Sequence, residues 1–182
     1  MVYGIELFVR LKTTDLVALT AKNTLQRDMG YRDVLKDLKR EDYWLISVEC
    51  EMKEEVKELA TEFANKTKIF VNPNKHTYTI RIRENGSEIK EEKGDADKGL
   101  YDIKVLVSYD EDSKACLIKD TLCKTLGYGD KVKDVKSGII WRLLIDAEDE
   151  KRAKEVASDI VVTKEVKSGL LINPHSQSYR IL

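Results

Sequence analysis

Two histidines, three cysteines and a few clustered carboxylates are the side chains of this sequence that could carry reactive chemistry. His76 and His175 each follow an Asn-Pro pair. Imidazole titrates near neutrality, so such a pair suits proton transfer or metal ligation. No carboxylate motif stands beside either one, and both read as loop histidines. Cys50, Cys116 and Cys123 form no Cys-x-x-Cys pair, and their odd number argues against a disulfide framework or a zinc site. Cys116 and Cys123, seven apart, share one side of an expected helix and read as packing groups. Glu54-Glu55 and Glu148-Asp149-Glu150 fall at expected helix starts, where the positive end of the macrodipole favours them without any catalytic role. Gly127-Tyr128-Gly129 reads as a helix stop and turn. Neither a Walker loop, a dinucleotide fingerprint nor a nucleophile elbow occurs. The sequence therefore assigns no catalytic, cofactor-binding or metal-ligating residue, and implies no cofactor.

The elements that would position any site come from a chain of 182 residues with 32 basic and 33 acidic side chains, net charge -1. A hydrophobic share of 42% suffices for packed cores. The balanced charge excludes a general nucleic-acid binder, which needs a basic surplus against phosphate. Tyr43-Trp44 is the one adjacent aromatic pair on a central strand, short of the stacking platform of RNA-binding sheets. No apolar run reaches the ~18–20 residues of a membrane span. The start, MVYGIELFVR, lacks the basic and apolar regions of a signal peptide, so the expected location is cytoplasmic.

An internal repeat organises the sequence. GYRDVLKDLKREDYW from Gly30 matches GYGDKVKDVKSGIIW from Gly127 at an offset of 97. YGIELFV from Tyr3 pairs with YDIKVLV from Tyr101, and NPNKHTYTI from Asn72 with NPHSQSYRI from Asn173. Val56, Leu59, Ala60 and Phe63 map onto Ala153, Val156, Ala157 and Ile160. These matches divide the chain into a first copy at 1–83, a charged flexible linker at 84–99 and a second copy at 100–182.

Ile5, Leu7, Val9 and Leu11 alternate as a strand does. Ala18, Ala21, Leu25 and Met29 follow helical spacing, and Gly30 suits a helix stop. A short strand near Val34 to Leu38, a hairpin turn at Arg40-Glu41-Asp42 and a strand from Trp44 to Cys50 are expected next. A helix through Val56 to Thr67, an Asn72-Pro73-Asn74 loop and a strand through Tyr78 to Ile82 complete the copy. The second copy repeats this with strands at Ile103–Tyr109, Val132–Lys136, Ile140–Ala147 and Ser178–Ile181, and helices near Ser113–Leu126 and Glu148–Val162. The expected class is α+β: two ferredoxin-like β-α-β-β-α-β modules with antiparallel sheets, forming a pseudo-symmetric internal dimer. Alternation places Phe8 and Leu45, and Leu106 and Leu144, on the sheet face opposite the helices. That apolar face is the candidate contact between modules, by sheet-against-sheet packing or edge-to-edge joining.

Both copies resemble PurS, the small subunit of phosphoribosylformylglycinamidine synthase. The resemblance rests on LGYGDKVKDVKSGIIWRLLIDAEDEKRAKEVA from Leu126 to Ala157, and on Gly30, Tyr31, Asn72, Pro73 and Tyr78 with their counterparts Gly127, Tyr128, Asn173, Pro174 and Tyr179. It departs at the loop before the first helix, KTTDLVALTAKN and YDEDSKACLIKD, which lack a Pro and Gly usual there. The resemblance implies a non-catalytic subunit that bridges a PurL-like synthetase subunit and a PurQ-like glutaminase subunit for ammonia transfer in purine biosynthesis. The enzyme would be an ATP-dependent, glutamine-hydrolysing ligase making the amidine from formylglycinamide ribonucleotide. One tandem chain would stand in for a PurS dimer, since linkage holds the modules at roughly millimolar effective concentration. The balanced charge and the lack of an apolar span imply no nucleic-acid and no membrane partner, and further self-association stays open. The alternative is a tandem ACT-like regulator binding a small metabolite, which calls for a glycine turn absent from both copies. An acylphosphatase-type enzyme is a third reading, and needs a phosphate-cradling loop that neither copy has.

Overall fold

A computed structural model describes residues 1–84, 99–162, 170–173 and 175–182. Most of the expected linker (85–98) and Pro174 lie outside the described residues. The chain is α+β, with a six-stranded antiparallel sheet and four α-helices among the described residues. The elements are β1 (Val2–Leu11), α1 (Leu16–Arg27), β2 (Leu35–Glu49), α2 (Lys53–Asn65), β3 (His76–Glu84), β4 (Leu100–Tyr109), α3 (Ser113–Asp120), β5 (Val132–Asp146), α4 (Glu150–Val161) and β6 (Gln177–Ile181). The strand order is β3-β1-β2-β5-β4-β6.

The expected hairpins are absent. β2 and β5 are unbroken strands of 15 residues each. Arg40-Glu41-Asp42 holds no Gly, Asn or Pro, and Asp42 alone does not set a tight turn. Glu41 and Tyr43 are buried within the strand instead. The order in each copy is thus β-α-β-α-β rather than β-α-β-β-α-β. The expected helix Ser113–Leu126 is α-helical only to Asp120 and continues as a π-turn over Thr121–Thr125.

The chain forms two compact units, and each draws on both copies. The first gathers described residues of Met1–Thr13, Glu41–Glu88 and Glu111–Gly138; the second gathers those of Thr14–Arg40, Ile89–Asp110 and Ile139–Leu182. In the first unit, Ile5, Leu7, Trp44, Ile46, Val56 and Phe63 share a core with Ala115, Leu122, Val132 and Val135 of the second copy. In the second unit, Ile103, Val105, Trp141, Leu143, Ala153 and Ile160 share one with Ala18, Ala21, Leu25, Leu35 and Leu38 of the first copy. The helix after each copy's first strand has changed places with its counterpart. The first half of each long strand has done the same.

The same local bonds serve both units. Asp15 caps α1 by accepting from the backbone N–H of Val17 (2.9 Å) and Ala18 (3.2 Å), while its second oxygen holds Arg40 Nε at 3.0 Å. Asp112 caps α3 through Ala115 N–H (2.9 Å) and holds the N–H and hydroxyl of Ser137, Arg40's counterpart, at 2.6 and 2.9 Å. The cap thereby ties each exchanged helix to the strand that accompanies it. Glu49 N–H donates to Lys131 C=O in the first unit and Asp146 N–H to Val34 C=O in the second, both at 2.8 Å. Ion pairs flank them: Lys133–Glu49 at 2.8 Å and Lys131–Glu55 at 2.6 Å in the first, Lys36–Asp146 at 3.2 Å in the second.

These pairs set a pH response. Hydrogen bonding to Lys133 and Lys131 lowers the carboxyls of Glu49 and Glu55 below their ordinary 4.5, and the same bonds raise both lysines above 10.5. A lowered folded-state carboxyl contributes stability above its unfolded value and loses it as pH falls through the lowered one. A raised lysine contributes below its unfolded value and loses it as pH rises through the raised one. The expected result is that Lys131→Met and Lys133→Met together flatten the fall in melting temperature below pH 4.5, read by thermal denaturation across pH 3–7.

Candidate functional site

The motif residues shared by the copies form joints between segments. Gly30 and Gly127 have φ of 81° and 78° just past their helices, a region that glycine enters without a Cβ penalty. The next residue turns back, with Tyr31 N–H on Leu25 C=O at 3.1 Å and Tyr128 N–H on Leu122 C=O at 3.0 Å. Tyr128 then sets its ring edge-on to Phe63 of α2, with centroids 5.1 Å apart and planes at 84°. Its hydroxyl hydrogen-bonds Glu62; burial first, then that carboxylate, holds the phenol above its ordinary range. Tyr31 packs against the core of the second unit.

Asn72 builds the loop before β3. Its side-chain oxygen accepts from Asn74 N–H at 3.0 Å, and its carbonyl accepts from the N–H of Lys75 and His76. Its own N–H donates to His76 Nδ1 at 3.1 Å. Asn173 repeats this with His175 N–H, Ser176 N–H, Gln177 N–H and Gln177 Oε1 (2.8 Å). His76 therefore corresponds to Gln177, and His175 to Asn74. His175 belongs to a loop turn, as expected, whereas His76 opens β3 directly after its turn. Pro73 C=O accepts Lys12 Nζ at 2.6 Å, and Tyr78 Oη donates to Asn65 at 2.8 Å. Tyr179 is exposed opposite Val107. Since a glutamine does the acceptor's work in the second copy, His76→Gln is expected to leave thermal stability unchanged. His76→Ala is expected to cost about 1 kcal/mol for the lost bond, read by chemical denaturation.

On the helix-free side of the first unit, β1 presents Gly4, Glu6, Phe8 and Arg10. Cross-strand pairing sets Glu6 between Leu45 and Arg81, Phe8 between Tyr43 and Thr79, and Gly4 between Ser47 and Arg83. Glu6 is only 3% exposed. A buried carboxylate must be paired, and two partners meet it: Tyr43 Oη donates at 2.7 Å and Arg83 Nε lies 3.6 Å away. Arg83 reaches it by lying over Gly4, where a Cβ would stand 3.1 Å from its Cγ and Nε and 3.2 Å from Leu45 Cδ1. Phe8 packs at 5.4 Å against the Tyr43 ring, with the Arg81 guanidinium 5.3 Å from its centroid. Arg10 reaches toward Glu41 at 3.8 Å and donates to Thr79 Oγ1 at 3.3 Å. Sequence periodicity placed Phe8 and Leu45 on this face, and both are half-buried there. It missed Glu6, Tyr43 and Arg83, whose link depends on cross-strand register.

The second unit carries other chemistry on its helix-free side. Leu106 is buried and Leu144 half-buried, with Ile140 fully buried in the position matching Tyr43 and Lys104 in that of Glu6. Arg142 pairs with Asp102 there.

Of the cysteines, Cys50 is buried, and burial followed by the charge of Glu55 pushes its thiol up, away from a reactive thiolate. Cys123 is half-buried, with its thiol donating to Val132 C=O at 3.8 Å, and Cys116 is exposed. Among the described residues, no three His, Cys, Asp or Glu side chains gather as metal ligands. No helix among them is long and apolar enough to cross a membrane. Compared with family models, curated proteins and solved structures, the chain finds no match in any of the three.

Proposed function

We propose that the chain is a non-catalytic assembly subunit of the PurS type, one tandem chain doing the work of a pair. The observation that carries this reading is that each compact unit is completed by a helix and a half-strand from the other copy. Two separate chains of one module would make the same exchange by swapping those segments, which is a low-cost route to a dimer. Tracing the first unit as β1, α3, β5 as far as Gly138, β2 from Glu41, α2 and β3 gives β-α-β-β-α-β. With the strand order β3-β1-β2-β5, that is a ferredoxin-like arrangement completed across the copies. The second unit reads the same way from β4, α1, β2, β5, α4 and β6. The motif shared with PurS supports the same reading, because its Gly-Tyr step seats a tyrosine on the helix of the other copy.

In this role the chain bridges a PurL-like synthetase and a PurQ-like glutaminase in the cytoplasm. The test is reconstitution. The source organism's synthetase and glutaminase subunits are mixed with formylglycinamide ribonucleotide, glutamine and ATP, with and without the chain. The expected result is that the three proteins co-elute in the presence of glutamine and nucleotide, and that glutamine-dependent amidine formation rises when the chain is added. Independent elution with unchanged turnover defeats the proposal.

A further inference from the structure

β3 closes one side of the sheet, and among the described residues it has a neighbouring strand, β1, on one side only. Which of its backbone groups face outward follows from the register. Lys12 N–H donates to Lys75 C=O at 2.8 Å, continuing the ladder in which Leu11 faces His76. Hydrogen-bonded and non-bonded pairs alternate along an antiparallel ladder. Residues 77, 79, 81 and 83 therefore turn their backbone groups to β1, while Tyr78, Ile80 and Ile82 turn theirs to the open side. This is a nine-residue strand, long for an edge, and rich in the β-branched residues that favour pairing.

We infer that β3 pairs with β3 of a second copy of this chain, antiparallel about Ile80. A two-fold axis normal to the sheet keeps each residue on its own face, so one residue must face its own counterpart across the axis. Centring it on Ile80 alone uses all nine residues. On the helix side that register sets Ile80 against Ile80 and Tyr78 against Ile82, three half-buried apolar residues of the first unit's core rim. On the other side it sets Thr79 against Arg81 and Thr77 against Arg83. His76 faces Glu84 at the ends. No like charges stand opposite each other. Centring on Arg81 would oppose two guanidiniums, and centring on Thr79 would put His76 against Ile82. Cross-strand complementarity thus selects one closed, two-fold partner over open-ended stacking. The outward groups of Tyr78, Ile80 and Ile82 supply the ladder.

Thr77 is exposed on this strand and faces Arg83 twice in the pair. Sedimentation equilibrium of the full chain is expected to give a monomer–dimer equilibrium. Thr77→Lys should weaken it and Thr77→Glu tighten it, each by about threefold to tenfold for two altered cross-strand pairs. Backbone amides of Tyr78, Ile80 and Ile82 should gain hydrogen-exchange protection as protein concentration rises, while circular dichroism shows both variants folded. A chain monomeric at millimolar concentration overturns the inference. So does a dimer indifferent to both Thr77 variants, or one whose β3 amides exchange independently of concentration; the latter two outcomes assign the contact elsewhere.

Discussion

Leu122→Ala is expected to loosen the core around Trp44 and not the one around Trp141, although Leu122 and Trp141 belong to the same sequence copy. Leu122 has no exposure and lies among Ile5, Leu7, Val56 and Phe63 of the first unit. Deleting its branched methyl groups costs lost burial plus a cavity, about 2–5 kcal/mol. Leu25→Ala is the mirror experiment, since Leu25 is equally enclosed and lies with Trp141. Each unit holds one of the two tryptophans, Trp44 at 3% and Trp141 at 5% exposure. Single-tryptophan chains made with Trp→Phe therefore report the units separately. Native-state hydrogen exchange should show β1 and α2 losing protection in Leu122→Ala, and β4 and α4 losing it in Leu25→Ala. The reverse pattern would mean that each copy folds on its own first helix.

The second large effect concerns Glu6. Tyr43→Phe removes the hydroxyl that donates to a carboxylate only 3% exposed, and is expected to cost ~1.5–3 kcal/mol for a lost bond to a charged group. Removing one member of a buried polar pair is worse than removing both. Glu6→Leu with Tyr43→Phe should therefore recover most of the loss, while Arg83, a quarter exposed, turns to water. Urea denaturation of the two single variants and the double variant reads the coupling. Additive losses would show that the hydroxyl and carboxylate do not depend on each other. The second copy supports the idea of linked change, with Lys104 and Ile140 where Glu6 and Tyr43 stand.

Much of the architecture was legible in the residues. Alternation at Ile5, Leu7 and Val9 marked the core face of β1, and the stripe at Val56, Leu59, Ala60 and Phe63 marked the buried face of α2. Gly30 and Gly127 marked helix ends because a left-handed residue there needs no Cβ. The exchange of helices was not legible. Periodicity says which face of α3 is buried, and Ala115 and Leu122 fit a strand of either copy equally well. The hairpin expected at Arg40-Glu41-Asp42 came from three consecutive charges, which mark polarity rather than a turn. Ser137-Gly138 at the matching place looks more turn-like, yet β5 runs through it. The Glu6 cluster was hidden for a related reason. A charged residue on the helix-free side of a strand reads as solvated until the register sets Tyr43 and Arg83 beside it. The loop expected to hold His76 ends one residue earlier, at Lys75, and His76 opens β3.

The most direct test of the composite units is a proton–proton contact within one chain. Phe63 and Tyr128 come from different copies, and their rings stand edge to face at 5.1 Å. Nuclear Overhauser spectra of the full chain, with the aromatic rings and isoleucine methyl groups selectively protonated, should show cross-peaks between Tyr128 and Phe63, and isotope-mixed samples should place them within a single molecule. Cross-peaks from Tyr128 to Ile160, the second copy's counterpart of Phe63, with none to Phe63, would contradict the account.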